Sequence, residues 1–241
     1  MKKMVFVHGD KGGVGKSTFA GLLTDYAWNQ GMPVALVEGD KMIRDVAPRF
    51  EGIEGVRVVD VNLARPDMSE DAIVALFGAM ETHLGDTQIV IVNSPASSSE
   101  TLDRQAEIIA PTVQALGYAL LVAWMVDIGA DSAVLAGKSE LCRVADQKFA
   151  VQNTRLKPVE GLAWHRHPAR REWLESGGQE VVLPGITERV MQKVREISDM
   201  PYSRMVRDPS VNLNIVERQS LKRWVENAWE SACAPIILGE G

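Results

Sequence analysis

The chain alternates between short apolar runs and longer segments in which apolar residues return every three or four positions. The runs are Met4 to Val7, Val34 to Val37, Val56 to Val61, Gln88 to Val92, Tyr118 to Val126 and, more weakly, Phe149 to Val151. Most lack the apolar–polar alternation of a half-solvated strand, as strands covered on both faces do. Between them, Ser17 to Asn29, Ser69 to His83, Thr101 to Leu116 and Asp131 to Asp146 have helical spacing. The segment from Ser69 opens Ser-Glu-Asp-Ala and keeps Ile73, Leu76, Phe77 and Met80 on one face, a helix start followed by an apolar stripe. Such alternation predicts an α/β fold, a doubly wound, mainly parallel sheet flanked by helices.

After residue 154 the pattern changes. Arg155, Lys157, Arg166, Arg170 and Arg171 gather around Trp164, His165, His167 and Trp173. Glu180 to Leu183, closed by Pro184-Gly185, reads as one more strand, and Ile186 to Ile197 and Ile215 to Ala232 read as helices. No repeat, low-complexity tract or linker interrupts the chain. One domain over 1–241 is therefore expected, with a core over 1–155 and a helical, basic portion over 156–241.

Composition adds exclusions. A chain of 241 residues with 46% hydrophobic and 24% charged residues is globular rather than disordered or fibrous. Its net charge of −6 excludes a bulk polycation, though a local basic patch on nucleic acid stays open. The apolar run after Met1-Lys2-Lys3 ends at His8, far short of the ~7–15 residues of a signal peptide core or the ~20 of a membrane span. The two cysteines, Cys142 and Cys233, have no metal-ligand spacing. They read as reduced, buried thiols of a cytoplasmic protein.

The candidate chemistry begins at Lys11-Gly12-Gly13-Val14-Gly15-Lys16-Ser17-Thr18, directly after an apolar strand and opening a helix. Glycines let successive N–H groups turn toward phosphate oxygens, and the helix N-terminus adds its dipole. Lys16 supplies a point charge to the outer phosphates and Ser17 a hydroxyl for Mg²⁺, with Thr18 able to contact the inner phosphates. The ordinary G-x-x-x-x-G-K-[ST] pattern would place its first glycine at Asp10, where it fails. The chain offers instead a second lysine, Lys11.

This octapeptide resembles the deviant Walker A signature of the ParA/MinD group of ATPases, and the resemblance extends over the α/β core. It implies ATP and Mg²⁺ as cofactors, and a homodimer formed face to face in the ATP state. Lys11 would reach the partner's phosphates as an arginine finger does. It further implies slow hydrolysis stimulated by an activating partner protein. Glu38-Gly39-Asp40 matches the group's Asp-x-Asp, with Asp40 in the position that orients the attacking water. Glu38 departs from the pattern by one methylene; by the same resemblance Asp40, and Glu38 after it, are candidates for the metal site, and two solvated acids at a strand end remain the alternative.

At the next strand end the group has Asp-[ST]-Pro, whereas this chain reads Asn93-Ser94-Pro95. Asn93 could still contact Mg²⁺ through a water, but without charge. Weaker metal binding or slower turnover follows, and Asn93→Asp is expected to raise one or the other. Asn153 resembles the group's strand-end asparagine that contacts adenine; an Asx turn is the competing reading.

The stretch Trp164 to Trp173 and Lys222-Arg223-Trp224 could bind DNA without sequence preference, or could be solvated faces balanced by Glu172, Glu175, Glu217 and Glu226. His165 and His167 read as surface residues. The tail from Ala234 is not the basic amphipathic helix of membrane-binding members, so no membrane role is expected. The expected function is an ATP-dependent dimerisation switch in partition, positioning or transfer of plasmid DNA or another cargo. The alternatives are a nucleotide-dependent binding module with little hydrolysis and a metabolic ATP-dependent amidase or ligase of the same superfamily.

Overall fold

The computed structural model describes residues 1–64, 66–83 and 85–239. Seven strands, β1 (Lys2–His8), β2 (Val34–Glu38), β3 (Val56–Asp60), β4 (Ile89–Asn93), β5 (Tyr118–Val126), β6 (Gln147–Asn153) and β7 (Gln179–Leu183), form one sheet in the order β3-β2-β4-β1-β5-β6-β7. Every pairing is parallel. The central strand β1 pairs Val5 with Ile91 on one side and with Leu121 on the other.

Successive side chains of a strand point to opposite faces, and this divides the core into two layers. Val5, Val7, Leu36, Ile91 and Leu121 pack against α1 (Lys16–Asn29) and the C-terminal helices α8 (Glu188–Glu196), α9 (Tyr202–Arg207), α10 (Ile215–Ala228) and α11 (Ala234–Ile237). Met4, Phe6, Val37, Val92 and Trp124 face the other layer. That layer carries α2 (Ser69–His83), α3 (Ser99–Arg104), α4 (Ala106–Ala115), α5 (Ala130–Lys138), α6 (Glu140–Val144) and α7 (Pro168–Glu175). β4 and β5 are buried along their whole length, which explains their unbroken apolar runs. Burying each Leu or Phe of this kind contributes about 1.5–3 kcal/mol.

Two helical readings need correction, and two further segments are helical where none was expected. The pattern over 101–116 is two helices, α3 and α4, parted at Gln105. That over 131–146 is also two, because Ser139 leaves the helical region and its side chain accepts from the Cys142 amide to start α6. Apolar spacing runs through both breaks and hides them. The stretch 164–173 becomes a 3-10 turn followed by α7, and Tyr202–Arg207 forms a helix that the pattern does not signal. Past α10, residues Trp229–Cys233 widen into a π turn before Pro235 in α11. A proline has no N–H for the preceding turn, so one residue of slack there is its natural consequence. Residues 240 and 241 of the tail lie outside the described residues.

Several polar contacts bind the C-terminal helices to α1 and to the loop after β2. Asp25 of α1 accepts the Ser203 amide at 2.8 Å and its hydroxyl at 2.6 Å. Burial pushes this carboxyl up to about 6. Arg49 donates to the carbonyls of Val194, Ile197 and Met200 at the end of α8, and its guanidinium lies 4.7 Å from the centre of the Tyr202 ring. No described helix is long and apolar enough to cross a membrane.

Candidate functional site: a phosphate loop and its cleft

The loop after β1 opens at the C-terminal edge of the sheet, beside the central strand, where open α/β sheets bind ligands. α1 begins with no side-chain cap and no acid in its first turn. Its leading N–H groups and the positive end of its dipole are thus left for an anion. Gly15 precedes it at φ 106, a left-handed conformation, and a Cβ there would stand 2.6 Å from Asn153 Nδ2. Both facts demand glycine. Gly15→Ala is therefore expected to cost about 1–2 kcal/mol from backbone strain alone. Nucleotide affinity should fall at least tenfold, as measured by titration calorimetry beside a thermal melt.

Lys16 is buried at the centre of the loop. Its Nζ donates to the carbonyls of Gly9 at 2.9 Å and Lys11 at 2.6 Å. Burial pulls its ammonium down to about 8, with Asp10 acting weakly the other way. His8, fully buried beneath the loop, is driven down to about 3 by burial and by Lys16, so it is neutral. Its ring meets Trp124 edge-on at 5.0 Å.

Gly12, Gly13, Gly15, Lys16, Ser17 and Thr18 line a cleft of about 790 Å³ together with Glu38, Asp40, Asn93 and Asn153. This is ample for a nucleotide-sized ligand. Val14 is buried behind the loop, and its carbonyl accepts from Asn153 Nδ2 at 2.9 Å. The Asn153 Oδ1 accepts the Arg155 amide at 3.1 Å, which makes the Asx turn. Asn153 thus faces the cleft while tying the end of β6 to the phosphate loop.

The acids take different roles. Asp40 lies in the cleft wall, and its Oδ1 accepts the amides of Met42 at 2.8 Å and Ile43 at 3.2 Å, shaping the loop after β2. Glu38 is buried: Oε2 accepts the amides of Val46 and Ala47, and Oε1 accepts Asn93 Nδ2 at 2.6 Å. Burial raises this carboxyl above its ordinary value against the pull of those bonds. Gly39 lets the ends of β2 and β4 meet, its N–H donating to the Asn93 carbonyl at 3.0 Å where a Cβ would be 2.6 Å from the same oxygen.

Lys11 leaves the cleft. Its Nζ pairs with Asp127 at 3.1 Å and Asp131 at 3.5 Å, on the loop after β5 and the start of α5, with its side chain 41% exposed. The hydrogen bond to Asp127 raises the ammonium above its ordinary value.

Sequence reading misses several residues of this site. Asp45 accepts the Ser17 hydroxyl at 3.1 Å across 28 residues. Arg49, Asp45, Arg155 and Tyr202 join the cleft wall, and Arg155 shares Glu188 with Arg195 at its mouth. Strand pairing and helix packing between segments far apart in sequence bring these groups together, so spacing along the chain carries no trace of them.

The basic stretch has a different character from that of a base-stacking surface. Trp164 and Trp173 are buried against each other at 5.6 Å. Glu180 accepts from both the Trp164 indole and the Arg170 guanidinium. His167 accepts the Ala169 amide and caps α7. Among the described residues, no group of three or more His, Cys, Asp or Glu side chains is placed to hold a metal. A cation here would rest on the Ser17 hydroxyl, phosphate oxygens and water, the usual manner of Mg²⁺. Asn93 Oδ1, buried in the cleft wall and without a hydrogen-bond partner, is a fitting acceptor for such water.

A glycine loop between the first strand and the first helix, under an all-parallel seven-stranded sheet, defines a P-loop nucleotide-binding fold of the MinD type. Solved structures share that fold. The septum site-determining protein MinD of Pyrococcus horikoshii OT3, complexed with Mg-ADP, superposes with a TM-score of 0.53 at 14% identity, covering 94% of this chain and 96% of that one. The cell division ATPase MinD of Pyrococcus furiosus does so with a TM-score of 0.53 at 14% identity, covering 95% and 99%. In sequence, protein MobD of Acidithiobacillus ferrooxidans is 24% identical over 233 residues, 94% of this chain and 95% of that protein. No family model matches the chain. The resemblance to the ParA/MinD group thus holds in fold as well as in the phosphate-loop motif.

Proposed function

We propose that the protein binds ATP with Mg²⁺ and works as a slow ATPase whose ATP state is a homodimer. The observation that carries this reading is the pair of lysines on one loop. Lys16 sits inside the phosphate cradle, and Lys11 stands outside it on a half-exposed side chain held by ion pairs. Exposed ion pairs of this kind are worth little, so Lys11 can exchange Asp127 and Asp131 for a partner's phosphate. The amides of the loop and Lys16 hold the nucleotide, and Asp40 orients water once its loop closes on the γ-phosphate. Ser17, with Asp45 and Asn93 acting through water, would hold the Mg²⁺, which neutralises phosphate charge when bound.

The cargo is a plasmid, a chromosome or a protein complex to be partitioned, positioned or transferred, with a partner protein that stimulates hydrolysis. Asn93, which brings no charge to the strand end, favours the version of this switch with very little hydrolysis of its own. DNA contact, if made, falls to cations such as Arg166, Lys222 and Arg223 rather than to the buried tryptophans.

Sedimentation with ADP, ATP and ATP plus DNA tests this reading. Wild type is expected to dimerise with ATP alone, Lys11→Ala to bind ATP as a monomer, and Lys16→Ala to bind neither nucleotide. An ATP-loaded wild type that stays monomeric, with Lys11→Ala indistinguishable from it, would sink the switch.

A further inference from the structure

In the cleft the ends of β2 and β4 set an acid on one strand against an amide on the other. Position 93, at the end of β4, holds an amide, and the charge sits opposite on Glu38 of β2. The longer glutamate side chain brings Oε1 within 2.6 Å of Asn93 Nδ2. We propose that Glu38 is a positioning residue: it captures the Asn93 NH₂ group and thereby fixes Oδ1 as the pole available to the water shell of the nucleotide's divalent cation. This rests on the reading that a Mg²⁺–nucleotide occupies the cleft.

The argument is one of donors and acceptors. An ionised carboxylate only accepts. Glu38 Oε2 is committed to the N–H groups of Val46 and Ala47, so Oε1 alone is left for Asn93. An amide's two ends have nearly the same shape, and its orientation is decided by its partners. Facing an acceptor, Asn93 must turn its NH₂ inward, in a charge-assisted bond. Its Oδ1 remains without a partner although its atom is buried, and an acceptor in that condition calls for a donor such as metal-bound water.

Glu38→Gln keeps size and reverses this logic. The N–H groups of Val46 and Ala47 still demand an acceptor, so the substituted side chain turns its oxygen to them and its NH₂ toward position 93. Asn93 then flips, giving its oxygen to that NH₂ and presenting a donor to the cleft. An aspartate at position 93 alone would face Glu38 across the same 2.6 Å, two carboxylates that repel, so the gain expected from Asn93→Asp on the sequence alone needs the change at Glu38 as well. In the double variant Glu38→Gln/Asn93→Asp the acid and amide simply trade strands. The NH₂ again has an acceptor, and one carboxylate oxygen faces the cation.

The experiment is calorimetric titration of ADP in the presence of Mg²⁺ and in EDTA, with the ratio of the two affinities as the readout. Glu38→Gln is expected to lower the ratio about tenfold, the usual effect of losing a residue that orients a metal's ligands, while the EDTA affinity stays within about twofold. The double variant should restore or exceed the wild-type ratio. Asn93→Ala, which leaves the Glu38 bonds to Val46 and Ala47 in place, should lower the ratio as Glu38→Gln does and stands in if that variant fails to fold. A ratio unchanged in Glu38→Gln or in Asn93→Ala, or one the double variant fails to restore, overturns the positioning role. Wild type that binds no ADP in either condition overturns instead the nucleotide reading on which it stands.

Discussion

Lys16→Met is expected to weaken ADP and ATP binding by about 100-fold or more, since it removes a buried charge aimed at phosphate. The wild-type lysine should also make binding depend on pH in a particular direction. Its ammonium titrates at about 8 in the nucleotide-free protein, against an ordinary value of 10.5. A bound phosphate is an opposite charge and raises it again. Below pH 8 the lysine is already protonated and affinity is flat. Above it, binding must take up a proton, and affinity falls about tenfold per pH unit until the raised value is reached.

The folding equilibrium moves oppositely. A lysine depressed in the native state has fewer bound protons there than in the unfolded chain between about 8 and 10.5, so nucleotide-free stability rises with pH across that window. Calorimetry in buffers of different ionisation enthalpy, at pH 7 and pH 9.5, measures the proton uptake directly. An affinity unchanged between those values, or a Lys16→Met variant that still binds, contradicts the placement of this side chain.

The second large effect is expected at Arg49, a residue far from the motif. Its guanidinium closes the end of α8 through the carbonyls of Val194, Ile197 and Met200 and lies over Tyr202. Tyr202 in turn packs against Gly21 of α1, where a Cβ would stand 3.0 Å from its ring. Arg49→Ala leaves those carbonyls without a buried donor and removes the stacked plane. A loss of about 3–4 kcal/mol is expected, from charge-assisted bonds of roughly 1.5–3 kcal/mol each that are only partly replaced by water. Because Arg49 lines the cleft and lies two residues past the Ala47 amide held by Glu38, nucleotide affinity should fall as well. Urea denaturation with and without ADP separates the two. A stability change under about 1 kcal/mol would show that the α8 end is held by packing alone.

These two residues mark what could and could not be read along the chain. The phosphate loop is legible because all of its parts are local: a strand, a run of glycines and a helix start follow one another without interruption. Strands β1, β2, β4 and β5 are legible because burial on both faces leaves nearly uninterrupted apolar runs, whereas the part-exposed edge strands β3 and β7 leave shorter ones. Glu38 and Asn93 are visible as departures from a pattern, but their bond is not, since it depends on β2 lying beside β4 across 55 residues. Arg49 looks like any charged loop residue until the fold sets the end of α8 beside it. The breaks at Gln105 and Ser139 escape because apolar periodicity reports which side of a helix is covered, and both halves cover the same side. The tryptophans of the basic stretch read as part of a nucleic-acid surface or of a solvated face; burial of Trp164 and Trp173 and the T-shaped contact between them put both in the core instead.

The order of the strands bears on how the protein is made. The phosphate loop hangs from β1, yet both flanking strands, β4 and β5, are synthesised later. The wall that faces the loop arrives later still, with Arg155, Leu183 and Trp224. A nascent chain therefore carries the strand of its glycine loop unpaired until β4 and β5 have been made, and long-range parallel pairings of this kind form slowly. Nucleotide cannot template the early steps, because no partial chain has both sides of the cleft. Loading is thus a mark of a chain folded through α10, and one cut short before that helix would be invisible to any system that senses the nucleotide-bound state.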